Sequence, residues 1–246
     1  LTWGGGGGNW DTVTANWLDA GMAPVAFTDG DAVDFATSSA GTITVVGSVA
    51  PLSTTVSAAS GTYTFSGGAI AGAGPLTKTG GGQLTISNTN SYTGKTSVQG
   101  GTLLTGGAAH LSNAGSAGVF GAPPAGPDAT IDLYNEVTLR SNGSSPRMNQ
   151  STDRSLNLAG TGAGTVSIRY NDNDASLTFG GVTATGTGAK LLKIDTGING
   201  NGDREAIIFT GGIADSSDSS PTSVAVTFNT QGSPNWVSLN GVNTFT

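Results

Sequence analysis

The sequence predicts an all-β fold: a right-handed β-helix, a β-solenoid with inserted loops, running as one domain over residues 1–246. Three observations carry this. Short runs alternate apolar and polar side chains, which puts one set inward and the other toward solvent. Glycine, 41 of 246 residues, punctuates those runs together with Asn and Asp, and such residues suit tight corners. Only 10% of residues are charged, while Ser, Thr and Asn dominate the polar side, a composition suited to strands with polar outer faces. At about 20 residues per coil and about 4.8 Å between coils, the rod comes to roughly 55 Å.

The opening block, residues 1–35, carries Trp3, Trp10 and Trp17, then PVAFTDGDAVDF. Amphipathic tryptophans offer flat faces on which a sugar could stack. They also suit the plug that the open end of a repeat fold requires, and this is the favoured reading. Gly4–Gly8 lacks the Gly-Lys-Ser/Thr of a phosphate loop and reads as a lead-in. Residues 42–72 alternate as strands (TITVV, TTVSAA, TYTFSG) and join the next segment without a linker.

Residues 74–105, GAGPLTKTGGGQLTISNTNSYTGKTSVQGGTL, form the core repeat. Leu76, Leu84, Ile86, Val98 and Leu103 are expected to point inward, with Gly80, Gly82, Gly94 and Gly101 at the corners. The pattern resembles the autotransporter-associated β-strand repeat, or passenger-associated transport repeat, family. Gly74, Leu76, Lys78, Gly80, Gly82, Leu84, Ile86, Asn90, Tyr92, Gly94, Thr96, Val98, Gly101 and Leu103 fit its consensus. Asn9, Trp10, Asn16, Trp17, Gly30, Asp31, Val33 and Phe35 fit the block that often precedes that repeat. The resemblance implies a secreted or surface-displayed β-helix and names neither a ligand nor a reaction.

Residues 106–127 are rich in Gly, Ala and Pro and have no period. Pro123, Pro124 and Pro127 cannot donate to a central ladder, so the segment reads as an inserted loop. Alternation resumes at ATIDLYNEVTLRS and continues through VAVTF, broken by loops at 141–153 and 215–223. Residues 224–246 include a partial second repeat: NWVSLNGVNTFT aligns with QLTISN-NSYT, setting Val237 on Leu84, Leu239 on Ile86, Asn243 on Asn90 and Phe245 on Tyr92.

The net charge is −7, with nine Lys+Arg and no basic run, so nucleic acid and anionic membrane surfaces are poor partners. No apolar run is long enough for a membrane-spanning helix. There is no cysteine and His110 is the only histidine, which serves neither a disulfide framework, nor a zinc site, nor a Ser-His-Asp triad. Glu136 and Glu205 are the only glutamates. Asp132 with Glu136, or Asp195 with Asp203 and Glu205, are the carboxylates a β-helix glycosidase would need to converge. No enzyme activity and no cofactor are expected.

Calcium is the one metal with candidate ligands, because oxygen donors suit it. The clusters are NDND, with Asp172 and Asp174; NGNGDRE, with Asn199, Asp203 and Glu205; and DGDAVD, with Asp29, Asp31 and Asp34. Asn and Asp also build turns by bonding their own backbone, so both readings stay open. Asn88, Asn90 and Asn243 are expected to cap turns or stack their amides. Asn142 and Asn149 each head a glycosylation sequon, a pattern common by chance.

A solenoid leaves ladder edges at its ends, which invite pairing with another chain. The first functional expectation is therefore an extracellular structural subunit, assembled head-to-tail with copies of itself into a filament, sheath or matrix. Trp3, Trp10 and Trp17 at one end would meet Trp236, Val237, Leu239 and Phe245 at the other. The alternative is a monomeric passenger or adhesin domain at the cell surface, displaying loops toward a surface or a glycan.

Overall fold

A computed structural model describes residues 1–106, 110–142, 149–171, 175–196, 206–214, 223–230 and 236–243. Apart from a one-turn 3₁₀ helix at Pro127–Ala129, its regular elements are strands. They lie in a 10-stranded, a 9-stranded and a 4-stranded sheet. Successive strands of each sheet come from successive coils, and beyond the opening block the pairing is parallel. This is the architecture of a β-solenoid.

The first sheet stacks Ala32–Asp34, Ser53–Val56, Leu76–Lys78, Thr96–Val98, Ile131–Leu133, Leu156–Leu158 and Val182–Ala184. The second stacks Gly8–Trp10, Thr42–Val49, Thr62–Ile70, Gln83–Ile86, Thr102–Thr105, Val137–Asn142, Gly164–Asn171, Lys190–Thr196 and Val224–Thr230. The third begins only in the later coils, with Gln150–Ser151, Ser176–Phe179, Ala206–Phe209 and Trp236–Leu239.

Alternation fixes which residues enter the core. In the second sheet an inward column runs Tyr63, Leu84, Leu103, Leu139, Ile168, Ile194, one residue per coil in direct register. In the first sheet the matching column runs Thr54, Leu76, Thr96, Ile131, Leu156, Val182. Leu84, Ile86, Val98 and Leu103 are fully buried and Leu76 nearly so. Parallel ladders place like side chains over like, so a one-residue slip in any coil would turn its apolar set outward.

Glycine sets the corners where coils approach closest. At Gly101 φ is +67°, and a Cβ there would strike the carbonyls of Gly80, Gly81 and Gly82 in the coil beneath. A Cβ on Gly80 would strike the Ser57 and Ala58 carbonyls in the same way.

The early coils keep the expected pace: Leu76 pairs with Thr96, 20 positions on. Later coils are longer, since Thr96 pairs with Ile131 and Ile131 with Leu156; the 106–127 segment lengthens the first of these, and strands of the third sheet lie in the coils that follow. The stack is correspondingly shorter than a uniform 20-residue coil implies. Nine strands at about 4.8 Å span about 40 Å rather than 55 Å.

The opening block departs from the parallel pattern. Thr2–Trp3 pairs antiparallel with Trp17–Leu18, which pairs antiparallel with Pro24–Val25. These strands extend the first sheet while Gly8–Trp10 forms the edge of the second. Trp3, Trp10, Trp17, Phe27 and Phe35 are each at most 1% exposed. They pack mainly edge to face: Trp3 on Trp17 at 4.9 Å, Trp10 on Phe27 at 5.6 Å and Trp17 on Phe35 at 5.1 Å. The block thus covers the first coil with aromatic rings and turns its antiparallel strands outward.

Candidate functional site

The most elaborate local structure lies where residues 110–130 lean on the solenoid between two consecutive coils. Their backbone carries few ladder bonds of its own, so side chains do the holding. Asn90 is the first anchor. Its backbone exchanges hydrogen bonds with Gly118, at 2.9 and 3.0 Å. Its Oδ1 accepts from Ile70 N at 2.9 Å and from Asn88 Nδ2 at 2.9 Å, and Asn88 Nδ2 also donates to Gly68 O at 2.7 Å. Both asparagines are buried, so their amides are turned inward to tie three successive stretches of chain. Asn90→Ala leaves the Ile70 N–H without an acceptor, and we expect a loss of about 1–3 kcal/mol in urea unfolding. A variant as stable as wild type would show that water replaces the amide.

The second anchor is the run 150–154. Gln150 Oε1 accepts from Leu111 N at 2.8 Å, and its Nε2 meets Nδ1 of His110 at 2.8 Å. Thr152 Oγ1 donates to Ser112 O at 2.8 Å, and Asp153 Oδ1 accepts from Ala114 N at 2.9 Å. Arg154 is 3% exposed. Its Nε donates to Ala129 O at 2.6 Å and its Nη1 to Phe120 O at 2.7 Å, while the guanidinium lies 5.8 Å from the Phe120 ring centre. Burial pushes its pKa down, with Tyr92 and Asp153 opposing. Tyr92, fully buried against Thr96 Oγ1 at 2.8 Å, is pushed up to about 12 by burial. Between the segment and this run opens a cleft of about 230 Å³, lined by Ala114, Ala125, Gly126, Ala129, Thr130, Asp153, Arg154 and Ser155.

Two further cations are buried in the solenoid. Lys78 stands in the inward column between Val56 and Val98. Its Nζ donates to Gly80 O and to Gly100 O, the latter at 3.2 Å. Lys190 Nζ donates to Asn135 Oδ1 at 2.8 Å and to the Gly160 and Gly162 carbonyls, each at 2.7 Å. Each ammonium thus binds carbonyls at a glycine corner, where the backbone turns its acceptors inward.

The residues singled out by sequence fall as follows. Trp3, Trp10 and Trp17 have their faces covered by rings of the same chain. They therefore offer neither a sugar platform nor a contact surface for a second subunit, which corrects their assignment to an assembly interface. Trp236 is 46% exposed, and Val237 and Leu239 are half-buried, on the outermost strand of the third sheet. Phe245 and the calcium candidates Asp172, Asp174, Asn199, Asp203 and Glu205 lie outside the described residues.

The carboxylates of DGDAVD are spent on hydrogen bonds within the chain, one closing a local turn and two reaching the next coil. Asp29 Oδ1 accepts from Ala50 N at 2.7 Å, Asp31 Oδ2 from Thr28 N at 2.8 Å, and both oxygens of Asp34 from Ser57 Oγ at 2.8 Å. Asp132 and Glu136 are not brought to a common groove. Asp132 pairs with Lys95 at 3.1 Å and accepts from Asn157 at 3.0 Å, while Glu136 caps Thr165 N at 2.8 Å. Among the described residues no three His, Asp or Glu side chains gather as metal ligands.

Asn243 takes the role of Asn90, as the alignment implies: its Oδ1 accepts from Ile213 N at 3.0 Å in the preceding coil. The strand before it, Trp236–Leu239, lies in the third sheet, however, whereas Gln83–Ile86 lies in the second. Arg154, Lys190 and the cleft were not singled out from sequence. The usable signal was parity. Arg154 shares it with Leu156 and Leu158, and Lys190 with Leu192 and Ile194, all of them buried.

Comparison with known proteins bears on one stretch of the chain. The family model described as Passenger-associated-transport-repeat matches residues 76–104. No curated protein and no solved structure is matched. The matched residues comprise Leu76–Lys78 and Gln83–Ile86, one strand in each main sheet, together with Thr96–Val98 and most of Thr102–Thr105 directly above them. One coil and the beginning of the next, at residues 76–104, are thus a passenger-associated transport repeat embedded in a β-solenoid.

Proposed function

We propose that the chain is the displayed part of an autotransporter-type passenger: a right-handed solenoid stalk at the cell surface or beyond it. It holds the 110–130 segment outward and acts by binding rather than by catalysis. The observation that carries this is the passenger-associated transport repeat at the centre of the coil stack. The right-handed sense follows from the general handedness of crossovers between parallel strands. No helix among the described residues is long and apolar enough to cross a membrane. The head-to-tail filament expected from sequence finds no support, since the aromatic faces it needs are buried within the opening block.

The test exploits the absence of cysteine. Asp128→Cys, at an exposed position of the displayed segment, supplies a thiol to a chain that has none, with the unsubstituted protein as the labelling control. A membrane-impermeant maleimide is expected to label it on intact cells. Labelling that appears only after lysis would overturn the display reading.

A further inference from the structure

We propose that the outer face of the second sheet binds a sulfated glycan, with one sulfate ester shared by Arg140 and Arg169 and Lys193 beside them. The inference names a ligand class for the binding role proposed above and rests on that reading for biological meaning, while its chemistry stands on the face itself.

The starting point is where the positive charge lies. The chain carries nine Lys and Arg against a net charge of −7. Lys78, Arg154 and Lys190 are buried, and Lys95 pairs with Asp132. The other Lys and Arg among the described residues are Arg140, Arg169 and Lys193, and these stand on one face in three consecutive coils. Arg140 lies directly opposite Arg169, and Lys193 directly opposite Ser167. All three alternate with the buried Leu139, Ile168 and Ile194, so they point outward. In earlier coils the same columns hold Thr62, Gln83, Thr85 and Thr102, none of them charged. Arg169 Nε stands 3.6 Å from Asp195 Oδ2, while Arg140 has no ion pair among the described residues. Like charges directly opposite on a ladder destabilise it, and an anion set between the two guanidiniums removes that cost.

The donors can be reached. Only the Nε of each arginine is enclosed without a hydrogen-bond partner. The guanidinium ends lie toward solvent: the Arg169 side chain is 41% exposed, Arg140 is partly exposed and Lys193 is exposed. Neighbouring strands stand about 4.8 Å apart, so one oxyanion can accept from the Nη groups of both arginines. A carboxylate has two oxygens and is filled by one bidentate arginine, whereas a sulfate ester keeps three and can bridge the pair. Asp195 beside Arg169 disfavours the greater charge of a phosphate monoester and leaves the singly charged sulfate ester. The adjoining outward column, Thr138, Ser167 and Thr227, offers hydroxyls to sugar hydroxyls. Nothing in these outward columns is aromatic, so bases have no ring to stack on. Hydroxyls rather than large apolar side chains flank the arginines, which disfavours a lipid surface.

The experiment is a calorimetric or NMR titration of the full chain at low salt with a heparin tetrasaccharide, its desulfated counterpart, a thymidine oligonucleotide and phosphatidylserine vesicles. Saturable binding of the sulfated tetrasaccharide is expected, at least about tenfold tighter than the other three and weakening as salt is added. Arg140→Gln and Arg169→Gln should each weaken it several-fold, and together abolish it. Arg140→Gln should melt no lower than wild type, since it relieves the facing charges. Lys95→Gln makes the same change in net charge on the first sheet, where Lys95 pairs with Asp132, and should leave the affinity unchanged. Absence of saturation, equal binding of the desulfated sugar, preference for the oligonucleotide or the vesicles, or an equal loss in Lys95→Gln would each overturn the proposal. Failure here together with successful surface labelling at position 128 rejects the ligand and leaves the display reading intact. Binding without surface labelling does the reverse.

Discussion

Phe35→Ala is expected to cost about 3–5 kcal/mol, the range for removing a buried aromatic ring. Phe35 is fully buried and stands at the meeting point of five rings. Its ring centre lies 5.5 Å from Trp3, 5.5 Å from Trp10, 5.1 Å from Trp17, 5.2 Å from Tyr63 and 4.9 Å from Phe65. It thus joins the opening block to the first regular coils. The surrounding rings are large and stiff and cannot collapse into the space it leaves. Each of these pairs adds about 0.5–1.5 kcal/mol beyond the area it buries, so the loss should sit at the upper end of the range. Urea unfolding reads the loss, and a red shift of tryptophan emission should accompany it as water reaches Trp10 and Trp17. Val13→Ala in the same block is the control. Val13 is 82% exposed, and its loss should stay within about 0.5 kcal/mol. Near-equal stability of Phe35→Ala and wild type would mean that the block is not docked on the first coil.

That joint was legible in the sequence only in part. The spacing of Trp3, Trp10 and Trp17 before an alternating run marked an end plug, and the rings are indeed turned inward. The antiparallel pairing of Thr2–Trp3 with Trp17–Leu18 was not legible, because two-residue strands have no alternation to read. Within the coils the inward set at Leu76, Leu84, Ile86, Val98 and Leu103 could be read directly, because a strand buried on one face has a period of two. Coil length could not. The longer coils route chain through a third sheet whose strands, such as Gln150–Ser151, are too short to stand out. The partial repeat at Asn243 keeps the hydrogen bonding of Asn90 while the strand before it lies in a different sheet, since sequence similarity reports local turn chemistry rather than position around the coil. The cleft escaped for another reason. Arg154 is held by the carbonyls of Ala129 and Phe120, far away in sequence, and backbone acceptors leave no trace in side-chain identity.

Lys78 shows the same parity rule applied to a charge, and its consequence is a dependence of stability on pH. Leu76 and Lys78 have the same parity, so both point inward, and Lys78 is 1% exposed. Burial pushes its pKa down to about 8 from the ordinary 10.5. The sign follows from proton counting. Below about 8 the ammonium is charged in both the folded and unfolded chains, and the full cost of burying it is present. Between about 8 and 10.5 the unfolded chain binds more protons, so stability rises with pH. Over the whole window the gain is about 3 kcal/mol, because each pKa unit corresponds to about 1.4 kcal/mol. Lys78→Met keeps the length and the fit between Val56 and Val98 while removing the charge. The bonds it gives up end on the Gly80 and Gly100 carbonyls, at corners where water can substitute. From pH 7 to 9.5 wild type should gain about 2 kcal/mol relative to Lys78→Met in urea unfolding. The comparison is a difference between two chains that share Tyr63 and Tyr92, whose burial raises their pKa values, so tyrosine ionisation cancels. A difference that stays constant across this range would show that Lys78 keeps its proton in the folded chain. The two carbonyls at its tip would then stabilise the ammonium enough to offset its burial, and the inward lysine of the repeat would be a structural cation rather than a tolerated one.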